Sequence, residues 1–343
     1  MKKKLTGLTM FDLLKGIGII MVVFFHSNAG GINTESIVHS CFHSVIMPMF
    51  FIMSGYWLKK RKVVKGIKYS AQYVLKPYLI AGLCVTVCSG LLKIVQGQMP
   101  FEYMLFQAGA FLFGFSDAGG TVLGKLYFGW NGPLWFMLAL FGAWCIFYMV
   151  INVKKEMVQR VLVLLIVIAG CILSKVDMIH FFDIPQALIA TGYVYVGYDL
   201  KKRGSFNKEH KWYVLLLMTA VWIAGSAIGF IDLASLTIRY GLIEVVSSIM
   251  GAYVVIYAFL WINQLELKWL NPVCTIGRYT NWILCIHTVE MLAFPWEAVM
   301  GKLPNIVVFN IYVIQLVARC VMIFVTCIFL KKLPLIKKKV FGK

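Results

Sequence analysis

A chain of 343 residues that is 61% apolar and only 14% charged, with a mean hydropathy of +0.82, has too little polar surface to cover a soluble globule. Its apolar residues recur in long segments, which excludes a soluble enzyme and predicts an all-α, polytopic integral membrane protein. The net charge of +19 would suit a nucleic-acid binder, but the basic residues fall in short clusters between apolar runs, so no nucleic-acid partner is expected.

The opening MKKKLTG precedes a long apolar run without a small-residue cleavage site, so an uncleaved first helix is expected and not a signal peptide. Residues 11–28, FDLLKGIGIIMVVFFHSN, are then interrupted by Asp12, Lys15 and His26. Eleven residues separate Lys15 from His26. At ~100° and ~1.5 Å per residue this is about three turns plus 20°, and about 16 Å. Both side chains therefore share one helix face near opposite ends, and Asp12, three residues before Lys15, can pair with it. Ionisable groups within a span usually face a protein interior or a watery cavity, so this face predicts the wall of a polar chamber. The plain alternative is that Lys15 snorkels and His26 caps the helix at the headgroups.

Further apolar runs predict spans near 41–58, 74–95, 133–151, 160–175, 184–200, 212–231, 240–262, 274–292 and 305–330, in addition to 10–28. The run 101–115 is short. The positive-inside rule arbitrates: if 101–115 does not cross, the clusters at 2–4, 59–68, 154–160, 201–211 and 331–339 all fall on one side. The expected architecture is about ten transmembrane helices plus one re-entrant or interfacial helix, as a single membrane domain over 1–343. Both termini are expected to be cytoplasmic, in a cell (plasma) membrane whose anionic lipid attracts the basic collar. No internal repeat is apparent.

The second run, HSCFHSVIMPMFFIMSGYWLKKR, contains Pro48, which removes a backbone donor and should bend the helix, and Ser54-Gly55, which permit close helix packing. His39 and His43 stand at i, i+4, a spacing that can hold a metal, but Glu35 is the one acidic residue near them and no metal site is expected. The loop that follows ends KGIKYSAQYVLKPYL, a basic and aromatic segment. WNGPLWFMLALF begins the run at 133, and Trp130 and Trp135 suit an interfacial aromatic belt. IATGYVYVGYDLKK offers helix packing through Gly192 and Gly197. CTIGRYTNWILCIHTVEM carries Arg278 at one end and His287 well inside the span. Nine cysteines are scattered through apolar segments without a Cys-x-x-Cys pair, so neither disulfides nor a metal centre are expected.

Three of these blocks, in order, resemble the acyltransferase 3 family of polytopic membrane acyltransferases. The first is Asp12, Lys15 and His26 with ten residues between the last two, and Lys in the basic position is similar to the fucose-acetylase-like branch. The second is Met-Pro-x-Phe-Phe followed by Ser-Gly-Tyr. In that branch a His often stands two residues before the proline, where this chain has Ile46, with His43 one turn earlier. The third is Gly-Arg-x-Thr followed by His287. The resemblance implies a membrane-bound O-acyltransferase, most often an O-acetyltransferase. Such an enzyme takes an acyl group from acyl-CoA (acetyl-CoA) on the cytoplasmic side to a hydroxyl of a carbohydrate or other cell-envelope acceptor. It implies catalytic roles for His26, Lys15 and Asp12 and donor contacts for Lys68, Lys76, Tyr78 and Arg278. Glu35, His43, Tyr56, Trp135 and His287 are the candidates for acceptor binding. His26, with an ordinary pKa near ~6.5, is the expected general base, or it carries the acyl group transiently. There is no Gly-x-Ser-x-Gly elbow to support a serine-hydrolase mechanism. A transporter or flippase for a small polar or lipid-linked solute would use intramembrane charge equally well, and a non-catalytic scaffold would not need a polar helix face.

Overall fold

The computed structural model describes residues 10–27, 36–176, 178–229, 231–296, 299 and 308–332. Its contacts divide the chain into two compact units, Met1–Asn33 with Ala258–Lys343, and Thr34–Tyr257. The predicted helical class holds. Among the described residues five helices are long and apolar enough to cross a membrane by length and composition, and two further apolar helices are shorter.

In the larger unit α2, Ile37–Trp57, starts where the Ser36 hydroxyl accepts from the His39 backbone N–H at 3.2 Å, and it runs on through Pro48. Helix α3 extends over Val63–Val95, beginning well before the expected span at 74. Pro77 explains how. A proline in a regular helix lacks its donor and presses on the carbonyl four residues back. A widened π turn over Ala71–Leu75 takes up that conflict just before Lys76-Pro77. Thirty-three residues make about 50 Å of helix, against a hydrocarbon core of about 30 Å, so the basic first turns belong outside the core. Helix α4, Pro100–Phe113, covers the ambiguous run and stops at Gly114 with φ +71°, a left-handed stop that glycine adopts without strain. A short antiparallel hairpin that the sequence reading did not anticipate follows, β1 Thr121–Leu123 and β2 Leu126–Phe128. Then come α5 Trp135–Val150, α6 Glu156–Leu173, α7 Ile184–Arg203, α8 Trp212–Ile228 and α9 Leu242–Gln264, whose residues from Ala258 on belong to the smaller unit.

Helix α7 packs against α2, α5 and α6. The α2–α7 crossing is made by glycines: a Cβ on Gly55 would enter the Val194 carbonyl, and one on Gly197 the Ile52 carbonyl. Polar side chains join the helices where lipid offers them no partner. Ser44 and Ser226 share a 3.0 Å hydrogen bond, Trp222 donates to Ser44 at 3.0 Å, and Tyr193 and Ser248 are 2.8 Å apart.

The smaller unit holds α1 Asp12–Phe25, α10 Asn271–Arg278, α11 Thr280–Ala293 and α12 Val308–Lys332. The expected span 274–292 is thus two helices, broken at Tyr279, whose backbone leaves the helical region at φ −106°, ψ 12°. Helices α1 and α10 cross at glycines on both sides. A Cβ on Gly16 would strike the Val273 carbonyl, and one on Gly277 the Asp12 carbonyl.

Candidate active site

The backbone-to-backbone crossing of α1 and α10 fixes the first group of polar side chains. With no side chain at Gly277, the first turn of α1 lies directly on the last turn of α10. Arg278 Nε then donates to Asp12 Oδ2 at 2.8 Å while Lys15 Nζ pairs with Asp12 Oδ1 at 3.0 Å. Asp12 is buried, whereas the Arg278 and Lys15 side chains are 37% and 27% exposed. One carboxylate holding two cations leaves a net positive pole with part of each cation open to a ligand. Arg278, assigned to the donor from resemblance alone, is placed beside Asp12 and Lys15.

At the other end of α1, His26 Nδ1 lies 2.7 Å from the Val22 carbonyl oxygen. A carbonyl only accepts, so Nδ1 carries the proton and the basic lone pair is on Nε2. His287, on α11, is wholly buried. Its Nδ1 is 2.9 Å from Glu290 Oε1, so it has the same tautomer, and its Nε2 is buried without a hydrogen-bond partner. The two imidazoles meet edge to face with centroids 5.5 Å apart. His26 and His287, predicted separately, are neighbours.

Two further residues organise this pair, and the sequence reading did not single them out. Glu290 accepts from His287 and from Trp296 Nε1 at 2.5 Å, and it lies 3.4 Å from Arg319 Nε. Arg319, 2% exposed, also donates from Nη1 to the His26 carbonyl at 2.8 Å. With the Gln315 amide oriented to satisfy both neighbours, its nitrogen donates to the Ser27 carbonyl at 3.2 Å and its oxygen accepts from Arg319 Nη2 at 3.0 Å. Arg319 on α12 thus holds both the end of α1 and the carboxylate behind His287. A signal was present: Arg319 is a lone charge in the apolar run 305–330, and intramembrane charge is function-enriched. Glu290 is one turn from His287, the spacing already used for Asp12 and Lys15.

The remaining predicted residues belong to the larger unit. Lys68 lines a cavity of about 500 Å³ with Lys60, Arg61, Lys62, Lys65 and Tyr69. In it the Arg61 guanidinium stacks 3.9 Å from the Tyr69 ring centre and donates to the Tyr148 hydroxyl at 3.1 Å. Lys76 does not line this basin. Tyr78 is buried and donates to the Phe111 carbonyl at 2.6 Å, a helix-to-helix bond. Trp135 is also buried, so it packs inside the unit instead of forming an aromatic belt. Tyr56 is buried, packs on Phe206, and has the Lys201 ammonium 5.5 Å from its ring centre. His43 stacks on His39 at 4.2 Å between centroids. Glu35 lies outside the described residues. Among the described residues no three His, Cys, Asp or Glu side chains gather in reach of one metal ion.

Comparison with known proteins gives one match. A family model described as an acyltransferase domain, that of the acyltransferase 3 family, covers residues 9–332. No curated protein matches the chain, and no solved structure does.

Proposed function

The chain belongs to the acyltransferase 3 family, and from that premise we propose that it is a membrane O-acyltransferase, most simply an O-acetyltransferase. The acyl group comes from acyl-CoA on the cytoplasmic side and goes to a hydroxyl of a carbohydrate or other cell-envelope molecule. In this reading the chain crosses the plasma membrane ten times with both termini cytoplasmic, and α4 does not cross.

The observation that carries the mechanism is the meeting of His26 and His287, edge to face at 5.5 Å, with His287 backed by Glu290. His26 Nε2 takes the proton of the acceptor hydroxyl. The oxygen attacks the thioester carbonyl, the carbon–sulfur bond breaks, and the departing thiolate takes the proton from His26 to leave as free coenzyme A. Nδ1, tied to the Val22 carbonyl, keeps the ring in the tautomer that a base requires. His287, Glu290 and Arg319 position that ring and the end of α1. At the other pole, Lys15 and Arg278, gathered on Asp12, offer positive charge to the donor. Lys68 and its basic neighbours suit the coenzyme's phosphates.

The test is single-turnover acyl transfer in nanodiscs with His26→Gln, which keeps polarity but cannot take a proton near neutral pH. Mass spectrometry of envelope glycans from cells with and without the protein identifies the acceptor. General-base loss removes ~10²–10⁴ in rate. With coenzyme A binding intact, the variant should fall by that amount. Turnover within about threefold of wild type, less than ~1 kcal/mol in barrier, would make His26 a helix cap.

A further inference from the structure

The Asn-Gly-Pro before α5 is left unexplained by acyl transfer, and it leads to a second buried polar cluster, wholly within the larger unit. Three chain segments meet there. The Asn131 backbone N–H donates to the Phe115 carbonyl at 2.8 Å, and that of Phe182 to the Phe113 carbonyl at 2.6 Å. These bonds bring Ser116, just after α4, and Asn131, just before α5, to Asp183 and Gln186 at the start of α7. Asn131 Nδ2 donates to Asp183 Oδ2 at 3.2 Å, Gln186 Nε2 donates to Ser116 Oγ at 3.2 Å, and the Ser116 hydroxyl bonds the Asp183 carboxylate. Asp183 is 1% exposed, and Asn131 and Gln186 are fully buried.

The donors in this cluster point at Asp183 and Ser116, which leaves a surplus of acceptors. Asp183 Oδ1, Asn131 Oδ1 and Gln186 Oε1 are all buried without a partner. A buried acceptor left so is normally destabilising, and here three lie in one connected group. All three are oxygen lone pairs, and one belongs to a carboxyl group. No described Lys or Arg pairs with Asp183. Burial pushes the Asp183 carboxyl up to about 7, so the ionised form is expensive here unless something positive accompanies it.

We propose that this cluster binds a monovalent alkali cation through Asp183 Oδ1, Asn131 Oδ1 and Gln186 Oε1. Carboxylate and amide oxygens are the hard ligands such an ion takes, as they are for the other hard cations. One carboxylate among otherwise neutral ligands balances one positive charge, which favours a monovalent over a divalent ion. The bound ion would tie the start of α7 to the start of α5. The site is independent of the acyl-transfer reading.

The experiment is thermal unfolding of the full-length protein in detergent or nanodiscs. It is run at about pH 8, where Asp183 is ionised, in sodium, potassium or choline chloride at constant ionic strength. A ligand bound by the folded state raises the midpoint with its concentration, so sodium or potassium should raise it and choline should not. Asp183→Asn puts an N–H donor where the charge was. It should remain folded in choline and lose the alkali response. Gln186→Met removes one ligand and should raise the half-saturating concentration by about tenfold or more. Tyr78 is the other titratable group facing Asp183. It stays neutral at that pH, so Asp183 is the group a proton would occupy. Equal midpoints in all three salts would overturn the proposal. So would stabilisation only by acid, which would mean that a proton fills the cluster. An alkali response that survives in Asp183→Asn would place the ion elsewhere and overturn it as well.

Discussion

Glu290→Gln is the sharpest test of how the two histidines are held. The Glu290 carboxylate faces three donors: His287 Nδ1 at 2.9 Å, Trp296 Nε1 at 2.5 Å and Arg319 Nε at 3.4 Å. Glutamine keeps the shape and one acceptor but removes the charge. Arg319, 2% exposed, then stays buried with no anion, a loss of about 3–5 kcal/mol. That is about a fifth or more of the roughly 5–15 kcal/mol that holds a typical protein folded. Whichever way the amide turns, its nitrogen confronts an N–H, that of Trp296 Nε1 or that of His287 Nδ1, donor against donor. The assay is equilibrium unfolding in mixed micelles, followed by tryptophan fluorescence. Arg319→Met in the glutamine background removes the stranded charge, and replacing both partners of a buried pair is often close to neutral, so the double variant should regain more than half of the loss. If the single variant loses less than about 1 kcal/mol, the range of an exposed pair, or if the double variant loses the sum of the two single changes, Glu290 and Arg319 are not the coupled pair described.

Gly277→Ala should cost about 1–3 kcal/mol by overpacking, because the added Cβ meets the Asp12 carbonyl. An unfolding midpoint equal to wild type would show that α1 and α10 do not cross so closely. Lys68→Ala combined with Lys76→Ala should raise the apparent Michaelis constant for acyl-CoA more than that for the acceptor. An unchanged donor constant would return both lysines to simple topological charge. In a cysteine-free background, a cysteine at position 155 should resist an impermeant thiol reagent applied from outside. Labelling there would refute the ten-span topology.

What could be read from the sequence was what one helix holds. The i, i+3 spacing of Asp12 and Lys15 became a 3.0 Å ion pair, and helices occupy each predicted run. Boundaries failed where a local conflict reshaped the backbone, as at Pro77, absorbed by a π turn, and at Tyr279, which splits a predicted span. Partners from other helices were harder. Arg319 donates to a carbonyl 293 residues earlier, and no spacing rule reaches that far. Arg278 meets Asp12 only because Gly16 and Gly277 let two backbones touch, and a glycine in a sequence does not say which helix it receives.

The charge around α1 differs between its ends, and the difference suits the proposed chemistry. Asp12 cannot neutralise both Lys15 and Arg278, so that end is positive and favours an anion such as a phosphate of the donor. Around the histidines, Glu290 and Arg319 cancel, and the rings lie in a neutral setting. A general base must be uncharged to accept a proton, and its positive form must then give that proton up. A surplus of positive charge beside His26 would hinder the first step. A surplus of negative charge would trap the proton and hinder the second. Balance at that pole allows both, which is why Arg319 is as much a part of the reading as the histidines it holds.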